Sequence, residues 1–230
     1  MKLNKVCLNK SKQKILQNLE AEWPDQGLVV LLGANGAGKS SLLNLLAAIE
    51  SPDSGVIECN QRVTRFLMPE PAKFYPQLTV SEQLSFVAHL CQQPFKQEQQ
   101  AALLKNWQLN PVANKLTKHL SLGYRQRLSL AQLELSAADV LLMDEPMNGM
   151  DPQVMQIFKD KIMTWKLDKL VVMATHILHE AQQMADWVVV MECGQIILSE
   201  AYQAGVGFHE IYQQAIQQHH LQMSAEKITS

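Results

Sequence analysis

The stretch Leu28-Val-Val-Leu-Leu32-Gly33-Ala34-Asn35-Gly36-Ala37-Gly38-Lys39-Ser40-Ser41 decides the fold class. Five consecutive apolar residues fit a strand buried on both faces, as in a parallel sheet. The glycines after it leave the backbone bare, so that successive N–H groups wrap phosphate at a helix N-terminus. In the pattern Gly33-x-x-x-x-Gly38-Lys39-Ser40 the lysine reaches the β and γ phosphates and the Ser40 hydroxyl ligates Mg²⁺. Gly33, Ala34, Asn35, Gly36, Ala37, Gly38, Lys39, Ser40 and Ser41 are therefore the candidate nucleotide-binding residues. Ten glycines in 230 residues are about 4%, against an average near 7%, yet Gly33, Gly36 and Gly38 crowd into six positions. Leu42 to Ile49 completes a strand–loop–helix unit with a helix apolar nearly all round, hence buried.

Upstream, Leu19, Ala21 and Trp23 alternate with Glu20 and Glu22, which predicts an amphipathic antiparallel strand. Downstream, Pro52-Asp-Ser-Gly55 marks a turn before Val56-Ile-Glu-Cys59. From about Lys73 to Arg125 the pattern is helical. Thr79-Val-Ser-Glu82 is a capping box opening a helix with Val80, Leu84, Val87 and Cys91 at helical spacing. Pro111–His119 suggests a further short helix, and Leu128, Ala131 and Leu135 mark one face of another. Strands at Ala138–Met143, Lys169–Ala174 and Trp187–Glu192 then alternate with helices after Pro152 and His176, implying a parallel sheet. The organisation predicted is an α/β domain over residues 1–206, with an antiparallel β region and a helical insertion at about 73–125. A polar, glutamine-rich extension, 207–230, is expected to be helical in its middle and frayed at its end.

At 230 residues the chain is expected to bury roughly 70% of its unfolded surface, and 47% hydrophobic with 18% charged residues argues against a disordered chain. A net charge of −2 and a pI near 6.4 give no overall attraction to nucleic acid, and no nucleic-acid partner is expected. Cys7, Cys59, Cys91 and Cys193 lie far apart with no CxxC pair, as expected for reduced cytosolic thiols. The first residues carry charge but no apolar run or cleavage site, so the chain is expected to be cytoplasmic. Its apolar runs fall short of the roughly 18 residues of a membrane helix. If it works at a membrane, a partner must span it.

Val140-Leu-Leu-Met-Asp144-Glu145 sets two carboxylates at the end of a buried strand, where unpaired charge is costly. A magnesium ion resolves that cost: Asp144 suits the metal's outer shell, and Glu145 suits a general base acting on water. His176-Ile-Leu-His179-Glu180 lacks the spacing of a zinc protease helix and is not read as a metal site. Met143, Met147, Met150 and Met155 are read as packing.

Leu120-Ser121-Leu-Gly123-Tyr-Arg-Gln-Arg127, shortly before the paired carboxylates, resembles the signature sequence of the ATP-binding subunits of ABC transporters. The order of motifs strengthens the resemblance across residues 1–200: phosphate loop, helical insertion, signature, Asp144-Glu145-Pro146, Asn148-Gly-Met-Asp151-Pro152 and Thr175-His176. It implies an ABC-type P-loop NTPase core that binds ATP and Mg²⁺ and works as a head-to-tail dimer with a second ABC ATPase subunit, a copy or a related chain. ATP on one subunit's Gly33–Ser41 would be sealed by the other's Ser121 and Gly123. Asp151 would lie on the loop crossing the interface, and His176 would contact the γ-phosphate. Hydrolysis would drive a separate transmembrane permease, with the subunit peripheral on the inner face of the cell membrane.

Three departures stand out. Leu122 and Tyr124 replace the family's usual glycine and glutamine, although Gly-Tyr-Arg-Gln-Arg looks like the branch serving export-type permeases. Glu70, in Phe66-Leu-Met-Pro-Glu70-Pro, aligns with the glutamine that senses Mg²⁺ and the permease, and a carboxylate there can still join the metal shell. Leu8 to Lys14 offers no aromatic ring for adenine, which implies weaker base contact. A P-loop kinase would need an arginine lid beyond Arg125 and Arg127. A soluble nucleotide switch acting as an assembly or regulatory factor remains the alternative function.

Overall fold

The computed structural model describes residues 1–11, 13–59, 63–203 and 205–229. The chain opens with β1 (Lys2–Lys10) and β2 (Gln13–Glu22), then β3 (Gly27–Leu32), α1 (Lys39–Leu46), β4 (Ser54–Glu58) and β5 (Arg65–Met68). The helices α2 (Val80–Leu90), α3 (Gln97–Asn106) and α4 (Leu122–Ser136) follow. The chain returns through β6 (Val140–Asp144), α5 (Pro152–Trp165), β7 (Leu170–Ala174), α6 (Leu178–Gln182), β8 (Trp187–Glu192) and β9 (Gln195–Ala201), and ends in α7 (Phe208–Thr229).

Two sheets result. The outer one has the order β2-β1-β4, with antiparallel pairing. The central one has the order β5-β6-β7-β3-β8-β9, parallel from β5 to β8, with β9 antiparallel at one edge. Every residue of β3, β6 and β7 is buried, which is why these runs are apolar without alternation. Alternate residues feed two cores. Leu28, Val30, Leu32, Leu141, Met143, Val171 and Met173 face the core shared with α2, α4 and α5. Val29, Leu31, Leu142 and Val172 face α1 and the outer sheet, where Leu3, Val6, Leu16, Leu19 and Trp23 meet Leu42, Leu43 and Leu46. The alternation of Leu19, Ala21 and Trp23 is thus the inner face of the outer sheet.

The helical region shows what the pattern conveyed and what it did not. The capping box is present: Thr79 Oγ1 accepts from the Glu82 amide at 3.2 Å, and the Glu82 carboxylate accepts from the Thr79 amide at 2.8 Å. Between Pro111 and His119 there is no α-helix but two 3₁₀ turns, Asn110–Val112 and Thr117–His119. The Thr117 amide instead donates to the Leu78 carbonyl at 2.9 Å, tying this segment to the start of α2. α4 continues well past residue 125 and has no single apolar face. It lies between α2 and β5, and burial of Leu128, Leu130, Ala131 and Leu133 together with Gln126 and Gln132 runs around it.

α7 occupies the described part of the extension after Gly207, wider than the helix expected in its middle. Phe208 and Ala215 anchor it in the core, and His220 pairs with Glu192 at 3.0 Å. The extension is expected to fray toward its end; α7 runs to Thr229, and residue 230 lies outside the described residues. Among the described residues, no helix is long and apolar enough to cross a membrane.

Candidate active site

Because β3, β6 and β7 run parallel and adjacent, their carboxyl ends share one edge of the sheet. The glycine loop leaves β3 there, Asp144 ends β6 with Glu145 next, and Thr175-His176 follow β7. Two glycines are required by close approach. A Cβ on Gly33 would lie 2.6 Å from the Met191 carbonyl oxygen. One on Gly38, which has φ +105°, would lie 2.7 Å from Leu16 Cδ2. Gly38 caps α1 with no side chain in the way, so the helix's first N–H groups stay open to an anion.

Lys39 enters this edge only 8% exposed, its Nζ donating to the carbonyls of Gly33 at 2.6 Å and Ala34 at 3.2 Å. Burial lowers its pKa, against the opposing pull of Glu145 and Asp144. Asp144 is 7% exposed. Burial raises its pKa and the Glu145 charge adds to this, while a Ser40 hydrogen bond and Lys39 oppose. Glu70 is raised too, by burial and by the charges of Asp144 and Glu145, with Arg125 opposing. Three acids and one ammonium around one cavity leave it short of positive charge.

Glu145 has φ +47°, in the left-handed region, where a residue with a Cβ pays roughly 1–2 kcal/mol. Its amide donates to the Ala174 carbonyl at 2.8 Å. Its carbonyl accepts from Gln126 Nε2 at 3.2 Å. Its Oε2 lies 2.8 Å from His176 Nδ1 and accepts from the His176 amide at 3.2 Å. Several partners thus hold the backbone and the carboxylate of this strained residue.

A cavity of about 370 Å³ gathers Asn35, Gly36, Gly38, Lys39, Ser40, Ser41, Glu70, Asp144 and Glu145, with Ile15 on its wall. Gly33 and Ala34 reach it through their carbonyls on Lys39, and Ala37 is buried beneath. His176 stands at the rim, bound to Glu145. Ser121 and Gly123 do not line this cavity; they lie at the N-terminus of α4, where Ser121 caps with no side-chain hydrogen bond. Asp151 is committed within its own chain: it caps α5, accepting from the Gln153 amide at 3.0 Å and the Val154 amide at 3.1 Å, and pairs with Arg127. The Val154 and Arg127 contacts lower its pKa. A larger cavity, about 540 Å³, between β9 and α7 has Glu200 as the one charged group among its described lining residues and gathers no comparable chemistry.

Two residues of this region escaped the sequence reading. Ile15 sits on β2 next to the inward Leu16, and only the fold brings that strand over the phosphate loop. Gln126 is 1% exposed. Its signal was a glutamine between two arginines in a helix rich in leucine.

The residues suit Mg²⁺ in chemistry, since Ser40, Asp144 and Glu70 offer hard oxygens. Among the described residues no three His, Cys, Asp or Glu side chains enclose a metal on their own.

The family model described as ABC transporter matches residues 16–148, more than half of the chain. The chain belongs to the ABC transporter family. This places it among that family's ATP-binding, ATP-hydrolysing subunits, and the kinase reading of the phosphate loop falls away. It is 32% identical over 204 residues to the ABC transporter ATP-binding protein YxlF of Bacillus subtilis (strain 168), covering 85% of this chain and 69% of that one. An ATP-binding subunit of an ABC transporter has the same fold, with TM-score 0.84 at 21% identity over 94% of this chain and 98% of that one. So does a dimeric ATP-binding cassette in a post-hydrolysis state with ADP and Pi, with TM-score 0.74 at 21% identity over 88% and 99%. The mixed parallel and antiparallel architecture expected from the sequence is the one found.

Proposed function

We propose that this ABC ATPase subunit binds MgATP on Gly33–Ser41 and hydrolyses it with Glu145 as general base, through closure of a head-to-tail dimer that drives a transmembrane permease. The observation that carries the reading is Glu145, held by His176 at 2.8 Å on the same cavity as Lys39, Ser40 and Asp144. Ser40, Asp144 and Glu70 would hold Mg²⁺, which when bound offsets phosphate charge. Lys39 exchanges its two carbonyl partners for phosphate oxygens. Glu145 accepts a proton from water as the water oxygen bonds to the γ-phosphorus and the bond to the bridging oxygen breaks, leaving ADP and phosphate. His176 keeps the carboxylate aimed.

In this reading residues 1–206 form the ATPase domain, with the helical region about 73–125 as its insertion and 207–230 as an extension. The second subunit supplies Ser121, Gly123 and the Asp151 loop. Support for a dimer comes from geometry, since Ser121 and Gly123 stand clear of their own chain's cavity, and from the dimeric form of the similar cassette bound to ADP and Pi. The permease places the subunit at the inner face of the membrane.

The test is the solution mass of Glu145→Gln with and without MgATP. Removing the base lowers turnover by about 10²–10⁴-fold and traps bound nucleotide. The mass is expected to double only with MgATP. A variant that binds ATP yet stays monomeric would overturn self-closure, and one that keeps wild-type turnover would overturn the base assignment.

A further inference from the structure

Three consecutive side chains of α4 reach two loops, the one after β5 and the one between β6 and α5. Arg125 donates to the Ala72 carbonyl at 2.5 Å, just beyond Glu70, and lies over the Phe74 ring at 5.1 Å. Arg127 pairs with Asp151 and lies over Tyr124 at 5.2 Å. Gln126, between them, is buried, and its Nε2 donates to the carbonyls of Glu145 at 3.2 Å and Pro146 at 2.5 Å.

We infer that Gln126 is a positioning residue for hydrolysis, acting through the backbone of Glu145; this rests on the general-base reading of Glu145 above. The argument is geometric. The peptide before the Glu145 Cα is fixed by its N–H on the Ala174 carbonyl, and the peptide after it by its carbonyl on Gln126. With both peptide planes clamped, the Cα–Cβ direction is set in the left-handed conformation, at φ +47°, which is costly for a residue with a side chain. His176 then sets only the far end of the side chain. A carboxylamide suits this place because its NH₂ offers two donors for two adjacent carbonyls. α4 is capped by Ser121, five residues before Gln126, so a displacement of its N-terminus reaches Glu145 through one side chain.

A glutamine that only satisfied buried carbonyls for folding would affect stability and leave chemistry in proportion to folded protein. Gln126→Met keeps length and apolar stem and removes both donors. A misplacement of about 1 Å costs up to about 10²-fold, so kcat is expected to fall about 10- to 100-fold. The KM for MgATP should move less than about 3-fold. Amide hydrogen exchange over residues 145–149 should speed about 10-fold at unchanged exchange elsewhere. Added to Glu145→Gln, the substitution should slow turnover no further, because both act through one group. Where Gln126→Met does not fold, Gln126→Asn, one methylene shorter with the amide kept, serves the same comparison and should give an intermediate loss of kcat.

A folded variant with wild-type kcat, or one that loses kcat with exchange at 145–149 unchanged, overturns the inference. The two readings fail separately. If only the inference is wrong, Glu145→Gln is inactive while Gln126→Met turns over normally; if Glu145→Gln turns over normally, the general-base reading and this inference both fall.

Discussion

Two helices of this molecule begin at a glycine-bearing turn, and they begin differently. α1 starts at Gly38 above a cavity that contains a buried lysine and three acids. α4 is capped by Ser121, which is exposed, as is Leu122 at 57%, and neither Ser121 nor Gly123 lines the cavity at α1. Both ends carry the partial positive charge of unsatisfied N–H groups. At α1 the fold surrounds that charge with an anion site; at α4 it leaves it facing outward. On the head-to-tail reading proposed above, one half of a phosphate site is closed within the chain and the other meets a second subunit.

The sharpest way to break this comparison is an acid at the open end. A Cβ on Gly123 would meet only the Gly149 carbonyl oxygen, at 3.4 Å. Aspartate in the first turn of a helix is favourable, so Gly123→Asp is expected to fold with stability unchanged or slightly raised. It should leave ATP affinity of the single chain within about 3-fold while lowering turnover about 100-fold, the scale of losing a preorganised anion contact. It should also abolish the ATP-dependent rise in mass. Turnover and closure at wild-type levels would show that the α4 end meets no phosphate.

The closed end is tested by its excess of negative charge. Asp144→Asn removes a buried carboxylate that has Glu145 and Glu70 for neighbours, and is expected to raise the stability of the nucleotide-free protein at pH 7 by about 1 kcal/mol. The sign with pH follows from linkage. A carboxyl group whose folded pKa is raised holds its proton in the folded state at pH values where the unfolded chain has lost it, so stability falls as pH rises through that window. The advantage of the variant should therefore shrink as pH is lowered toward the ordinary carboxylate range. Paired thermal melts at pH 7.5 and 5.5 measure it, and an advantage that grows on acidification would refute the charge argument. MgATP binding should be weaker in the variant, since the metal requires the ionised acid.

The closed end was legible in the sequence because its chemistry is local. Five apolar residues, six glycine-loop positions and Lys39-Ser40 lie in one run, and Asp144-Glu145 ends another; strand parallelism alone brings the two runs together. Glu70 was legible only by its register against Leu78-Thr79-Val80, and the structure does bring it to the cavity. What stayed hidden depends on distant packing. Ile15 arrives from the other sheet, and the left-handed turn at Glu145 is produced by partners at positions 126, 174 and 176. α4 was read as amphipathic because Leu128, Ala131 and Leu135 share spacing, whereas a helix lodged between α2 and β5 is buried on more sides than periodicity reveals. The 3₁₀ turns before it arise from pairing with Leu78 and Thr79, which no local pattern encodes.

The smallest expected effect concerns the wall of the closed site. Ile15 lines the cavity, and no aromatic side chain does so among its described lining residues. An aliphatic wall excludes water from a purine without the offset stacking that adds about 0.5–1.5 kcal/mol for ring pairs. ATP and GTP should therefore bind the wild-type protein within about 3-fold of each other. Ile15→Tyr should strengthen both about 2- to 10-fold, the range that the stacking increment corresponds to, because every purine offers a face. Isothermal titration with the two nucleotides on both proteins separates the terms. A marked preference for ATP in the wild-type protein would mean that polar groups read the base edge. An Ile15→Tyr variant with unchanged affinities would place the base elsewhere, leaving the phosphate loop alone to define what the closed end binds.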